Sequence, residues 1–229
     1  MTEAFPKIRD ALALQRRLST VAAELAVRER LAREQRWLDE ARTLLDERTN
    51  GADELLARAA ALPEGEELRT ELLAEAKLRW IDAAQTFHAT VTRTFGPRAP
   101  VVEALFPHAD FEILRRKGFD DYHDAVLRFL ATAYVERTLA EEERVHAHRD
   151  ALVAASERLQ QLREPQPAED DAALRREVDD VAAPLDLVLR QVRHLAEAAL
   201  LPAPDLLERA ALEPQGRRRT ARRASTRAG

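Results

Sequence analysis

Acidic and histidine side chains near residue 145 are the ones in this sequence best suited to metal chemistry. Glu143, His146 and His148 lie within six positions, and the first two have a Glu-x-x-His spacing, which places both side chains on one face of a helix. Di-metal carboxylate centres in helical bundles use this spacing, so these three residues are candidates for an iron, manganese or zinc site. With 6 histidines and 41 acidic residues, about one such pair is expected by chance. The competing interpretation is a half-buried His148 that hydrogen-bonds to a carboxylate of a facing helix.

Other catalytic chemistries have little support in the sequence. The chain contains no cysteine, which excludes disulfides, thiolate nucleophiles, cysteine-ligated zinc and iron–sulfur clusters. No serine lies in a Gly-x-Ser-x-Gly motif, and no glycine-rich phosphate-binding loop is present. The sequence therefore favours a non-catalytic protein without a cofactor, with a carboxylate–histidine metal-binding bundle as the alternative.

The C-terminal segment is basic, in contrast to the rest of the chain. Residues 216–227 carry six arginines and no acidic residue, whereas the whole chain has a net charge of −5, so that the chain without these arginines has a charge of −11. Such a segment cannot bury apolar surface, and we expect residues 213–229 to be disordered. The arginines predict either non-specific binding of nucleic acid or another polyanion, or a merely solubilising terminus. They are Arg217, Arg218, Arg219, Arg222, Arg223 and Arg227.

A third candidate site lies in residues 95–124, where proline, glycine and phenylalanine are concentrated. Apolar clusters usually form core, so this segment is interpreted first as a packed joint between helices. The alternative is a docking face for a protein partner, because loops on rigid scaffolds often carry function. The residues that would form that face are Phe106, His108, Phe111, Arg115, Arg116 and Phe119.

The elements that position these residues are predicted to be helices only. The chain is rich in Ala, Leu, Glu and Arg, which favour helices, and no stretch has the alternation of a strand. Glycines and prolines fall at plausible helix ends. The predicted helices cover about 3–49, 52–95 with an interruption near Pro63, two short helices within 100–117, 120–162, 169–200 and 204–212.

Apolar residues with alternating spacings of four and three predict coiled-coil-like packing in the fourth long helix. Pro184 lies within this pattern, which favours a kink over a break. The seam residues are Leu174, Val178, Val181, Leu185, Val188, Val192 and Leu195. Three arms of nearly equal length and short connections predict one domain over residues 1–212, an elongated antiparallel bundle of three to four long helices with an aromatic-rich junction at one end.

These features together favour a helical interaction protein: an adaptor, an assembly factor or a structural subunit. Long amphipathic helices can dock partner helices, and a thin bundle that buries little surface per residue favours a homodimer. The N-terminal segment lacks the apolar stretch of a signal peptide, and no apolar run reaches the length of about 18 residues that a membrane span needs. We therefore expect a cytoplasmic protein.

Overall fold

The computed structural model describes residues 3–106, 110–115, 118–140, 142–165 and 170–212. Over these residues the chain is all-helical, as predicted, and contains no strand. The helices in chain order are α1 (Ala4–Ala26), α2 (Ala32–Thr49), α3 (Ala52–Ala59), α4 (Glu66–Phe95), α5 (Pro100–Leu105), α6 (Phe111–Leu114), α7 (Phe119–Leu130), α8 (Ala133–Ala140), α9 (Glu143–Arg163), α10 (Asp171–Ala182), α11 (Leu185–Leu200) and α12 (Pro204–Ala210). No helix within these described ranges is long and apolar enough to cross a membrane.

The chain divides into two compact units, where the sequence predicts a single bundle over residues 1–212. The first unit comprises residues 1–62 and 167–229, and the second comprises residues 63–166. Each unit therefore has its own set of packed helices. The predicted disordered tail, residues 213–229, lies outside the described residues.

The continuous helix predicted over residues 3–49 is wrong, because the chain folds back between α1 and α2. A 3₁₀ turn at Glu29–Leu31 interrupts the helix, and Arg28 leaves the helical region with φ −98° and ψ 78°. Gln15 donates to the Asp46 carboxylate at 2.6 Å, which two residues 31 positions apart on one straight helix could not do. No glycine or proline marks this turn. The packing of α1 against α2 stabilises it instead, and Leu38 and Leu45 of α2 are fully buried.

In the first unit, α11 packs along α2, and α10 contacts α1 and α3. Ala183 and Pro184, between α10 and α11, both keep right-handed helical dihedrals. The backbone thus follows a helical path through the proline, which is the geometry of a kink. The turn before α3 is made by Gly51, whose φ of +72° is readily adopted only by glycine.

Helix α12 is attached to the end of α1 and to the turn after it by ion pairs, and it also packs against α1. Both guanidinium nitrogens of Arg28 donate to the Asp205 carboxylate, at 3.0 and 2.5 Å. Arg209 makes an equivalent two-point contact with Glu24. The hydrogen bond from Arg28 lowers the pKa of Asp205. Because these groups are exposed, the pairs orient α12 more than they stabilise the fold.

The second unit is built on α4 and α9, which pack against each other, with α5 to α8 around them. The continuous helix predicted over residues 120–162 is wrong, since it is divided into α7, α8 and α9. Thr132 explains the first break, because its hydroxyl donates to the Phe129 carbonyl at 2.7 Å and accepts from the Val135 amide at 3.4 Å. A side chain that bonds the local backbone in this way ends one helix and starts the next.

Candidate functional site

The predicted docking face contributes its two central aromatic side chains to the interior of the second unit. Phe106 is 3% exposed and Phe119 is 6% exposed. The Phe106 ring lies 5.8 Å from the Phe87 ring and 5.2 Å from the His88 ring, measured between centroids. These are the edge-to-face contacts of a packed core. The two phenylalanines therefore do not present a surface to a partner.

The remaining docking candidates are placed differently. Phe111 is half-buried and its ring contacts His88 at 5.6 Å. Burial lowers the pKa of His88. The Arg115 guanidinium pairs with the Asp82 carboxylate at 2.6 Å and so links α6 to α4. His108 and Arg116 lie outside the described residues.

The structure does not bring the three metal candidates together. Glu143 begins α9 and is exposed, while His146 and His148 are half-buried. His146 Nε2 lies 3.0 Å from the Leu139 carbonyl oxygen. Because a carbonyl oxygen only accepts, this nitrogen is a donor to the backbone. Among the described residues, no three acidic or histidine side chains are grouped as a metal ion requires. The six arginines predicted to bind polyanions lie outside those residues.

A polar cluster that sequence reasoning missed lies between α4, α7 and α9. Trp80 is fully buried, and its indole nitrogen donates to Ser156 Oγ at 2.8 Å. Ser156 Oγ in turn donates to the Leu152 carbonyl oxygen at 3.0 Å. The hydroxyl thus satisfies the buried indole of one helix while remaining bonded to the backbone of another.

His123 of α7 completes this cluster. It is 3% exposed, stacks on Phe119 with ring centroids 5.7 Å apart, and meets the edge of Trp80 at 5.1 Å. Its Nδ1 lies 3.0 Å from Asp124 Oδ1. Its Nε2 is buried without a hydrogen-bond partner among the described residues. We call Trp80, Phe119, His123, Asp124 and Ser156 the His123 cluster.

Charged side chains lie beside the His123 cluster. Asp120 accepts from Arg163 and lies 3.6 Å from Lys77 Nζ, so α4, α7 and α9 each contribute one charge. Lys77 Nζ also lies 5.3 Å from the centroid of the Phe119 ring, a cation–π contact. The outer edge of the cluster is therefore charged while its centre is buried.

Tyr122 is a second α7 residue with an unsatisfied polar atom. Its hydroxyl is buried without a hydrogen-bond partner within the described ranges. Burial raises the pKa of the phenol to about 12, since the phenolate would lose its hydration. Two adjacent residues of α7 thus carry buried polar atoms that the described protein leaves unpaired, which is uncommon in folded proteins.

An imidazole held by a carboxylate is the usual arrangement of a general base, but such a base must reach its substrate. In the His123 cluster the free nitrogen faces the interior, and the ring has almost no contact with solvent. The arrangement can therefore exchange a proton with water only after the ring or its helix moves.

One signal in the sequence could have found this cluster. Phe119, Tyr122, His123 and Val126 are spaced i, i+3, i+4 and i+7, which places them on one face of a helix. The aromatic concentration between Trp80 and Tyr134 was recognisable as well. The partner Ser156 was not, because its meeting with Trp80 depends on how α4 and α9 pack.

The aromatic side chains of the chain are mostly buried or half-buried, with two exceptions. Phe129, near the end of α7, is 39% exposed, and Tyr134, near the start of α8, is 49% exposed. They flank the turn formed by Ala131 and Thr132. Exposed aromatic side chains are enriched at protein interfaces. We call Phe129 and Tyr134 the aromatic pair.

Comparisons with known proteins identify no family for this chain. No protein-family model matches it, no curated protein matches it, and no solved structure matches it.

Proposed function

We propose that this chain is a non-catalytic helical interaction protein that binds through the surface around the aromatic pair. The observation that carries the proposal is the exposure of Phe129 and Tyr134, whereas the other aromatic side chains are buried or half-buried. Aromatic residues contribute disproportionately to binding energy at the centre of interfaces. The predicted docking residues Phe106 and Phe119 have no part in this proposal, because they are interior.

The partner we propose is a second copy of this chain. The exposed charges near the aromatic pair alternate in sign, with Arg128 on one side and Glu136 and Arg137 on the other. In a two-fold symmetric dimer a patch meets itself, so Glu136 of one copy can pair with Arg137 of the other. Such a mixed patch is self-complementary, whereas a patch of one sign would repel its copy.

Helix packing of the coiled-coil type is also part of the proposal. Most residues of the predicted seam in α10 and α11 are buried, which supports it: Leu174, Val178, Leu185, Val188 and Val192. At two positions an adjacent alanine, Ala182 or Ala196, is buried instead, and the seam residue Val181 or Leu195 is half-buried. The buried residues of α10 and α11 therefore follow the alternating spacings of four and three over only part of their length.

Light scattering over a range of micromolar concentrations tests the proposal. We expect the wild-type protein to have the mass of a dimer, and the Phe129→Ser/Tyr134→Ser variant to have the mass of a monomer. The Leu187→Ser variant is the control, because Leu187 is 58% exposed but belongs to the first unit. A monomer mass for the wild type, or a dimer mass for the double variant, would contradict the proposed partner and surface.

A further inference from the structure

The two ring nitrogens of His123 have different surroundings. Nδ1 lies 3.0 Å from Asp124 Oδ1, whereas Nε2 is buried and unpartnered among the described residues. The hydrogen bond from His123 lowers the pKa of Asp124, so its carboxylate is ionised at neutral pH and can only accept. The neutral imidazole therefore carries its hydrogen on Nδ1, and Nε2 is a bare acceptor.

Protonation of the ring would add a hydrogen to Nε2 and leave the hydrogen bond of Nδ1 in place. The new N–H would be a buried donor, and unpaired buried N–H groups are rarer and costlier than unpaired acceptors. Ser156, the hydroxyl of the cluster, already accepts from Trp80 and donates to Leu152, and it makes no hydrogen bond with His123 Nε2. The protonated ring therefore gains a hydrogen-bonding group only by moving towards water.

The charges from α4 and α7 partly cancel around the ring. From α4, Lys77 lies over the Phe119 ring, and Phe119 stacks on His123. From α7, Asp120 pairs with Lys77 at 3.6 Å. The lysine would repel a second positive charge, and Asp120 reduces that repulsion.

The remaining charged groups act through Asp124. Arg163 of α9 and Arg128 of α7 both interact electrostatically with its carboxylate. Asp124 is the group that would favour a protonated His123, but its charge is shared with these two arginines. Asp124 accepts from Nδ1 in both the neutral and the protonated ring. The two forms of the ring therefore differ only in the surroundings of Nε2.

We propose that His123 is a proton-sensitive contact that holds α7 against α4 and α9 near neutral pH and releases α7 in acid. Because Phe119, His123 and Val126 share the buried face of α7, the His123 ring reaches solvent when that whole face moves away from Trp80. A buried unpaired donor raises the equilibrium constant for opening of α7 by about 5- to 150-fold. This inference goes beyond the proposed function, since it needs no partner.

The fluorescence of Trp80 tests the proposal, because release of α7 exposes the buried indole to water, which moves its emission to longer wavelength. The Trp37→Phe variant leaves Trp80 as the only tryptophan. We expect its emission maximum to move to longer wavelength as the pH is lowered from about 8 to 5. This shift should be absent when His123→Gln is added. It should persist with His194→Gln, the matched control, which replaces an exposed histidine in the first unit.

Hydrogen exchange on the wild-type protein gives an answer even if the His123→Gln variant does not fold. After correction for intrinsic exchange, we expect the amides of α7 to lose protection by about 5- to 30-fold between about pH 8 and 5, while residues 152–162 of α9 keep theirs. Unchanged emission with unchanged α7 protection would overturn the proposal. So would a shift in the emission maximum that survives His123→Gln, or a loss of protection in all helices at once.

Discussion

Replacing Phe106 with alanine distinguishes a packed joint from a docking face at residues 95–124. Phe106 is 3% exposed and contacts the rings of Phe87, His88 and Phe111. Removal of the ring loses about 1.5–3 kcal/mol of transfer free energy, and the cavity left behind brings the expected loss to about 3–5 kcal/mol. A phenylalanine on a docking face would lose far less, since its ring is already in water.

Phe129→Ala is the matched control, because it removes the same ring from a position that is 39% exposed. Only about three-fifths of the transfer free energy is lost there and no closed cavity forms, so we expect about 1–2 kcal/mol. Urea unfolding followed by Trp80 emission, in the Trp37→Phe background, reports the unfolding of the second unit, in which Trp80 is buried. Low protein concentration removes any contribution from self-association. Phe106→Leu, with a smaller expected loss, replaces Phe106→Ala if that variant does not fold.

A packed joint at residues 95–124 is refuted if Phe106→Ala lowers the free energy of unfolding by no more than Phe129→Ala does. That result would mean that the Phe106 ring contributes no more packing than a surface ring, and residues 95–124 would again be candidates for a docking face.

Two further predictions concern the buried polar atoms of the second unit. Ser156→Ala leaves the buried indole N–H of Trp80 without an acceptor, so we expect the free energy of unfolding in the urea assay to fall by about 1–3 kcal/mol. Ser156→Thr keeps the hydroxyl and should lower it less. Equal losses for the two variants would contradict the role of the hydrogen bond. In a Tyr134→Phe variant, absorbance at the phenolate band should show Tyr122 ionising at a pKa of about 12. Because this pKa is above the usual value of 10.0, the neutral phenol contributes stability that is complete below about pH 10 and is lost as the pH rises towards 12; ionisation near pH 10 in the folded protein would show that the ring is hydrated.

Helix ends marked by glycine or proline could be predicted to within a few residues, whereas those without such a mark could not. Gly51 separates α2 from α3, and Pro100 and Pro204 begin α5 and α12, as glycine and proline commonly do at helix ends. The turn at residues 27–31 has no such residue. There the helix stops because folding back buries the apolar faces of α1 and α2 against each other, and local propensity carries no information about that packing.

The candidate site divides in the same way. The sequence indicates that His123 shares a helix face with Phe119, because both lie on one short helix with a spacing of four. It does not indicate that Ser156 meets Trp80 76 positions away, or that Nε2 of His123 has no partner among the described residues. No grouped metal site is present among those residues, for a related reason. A local Glu-x-x-His supplies two ligands, but further ligands must come from other helices. The spacing does not determine how those helices pack.

By itself the sequence determined that this protein is helical, because composition and helical periodicity act within a few turns of one segment. It also determined which helix faces are apolar. Only the tertiary structure decided where long helical segments fold back, that the chain forms two units, and which of the eleven aromatic side chains remain exposed. Those outcomes depend on the free energy of burying one face against another far along the chain, which no single segment contains.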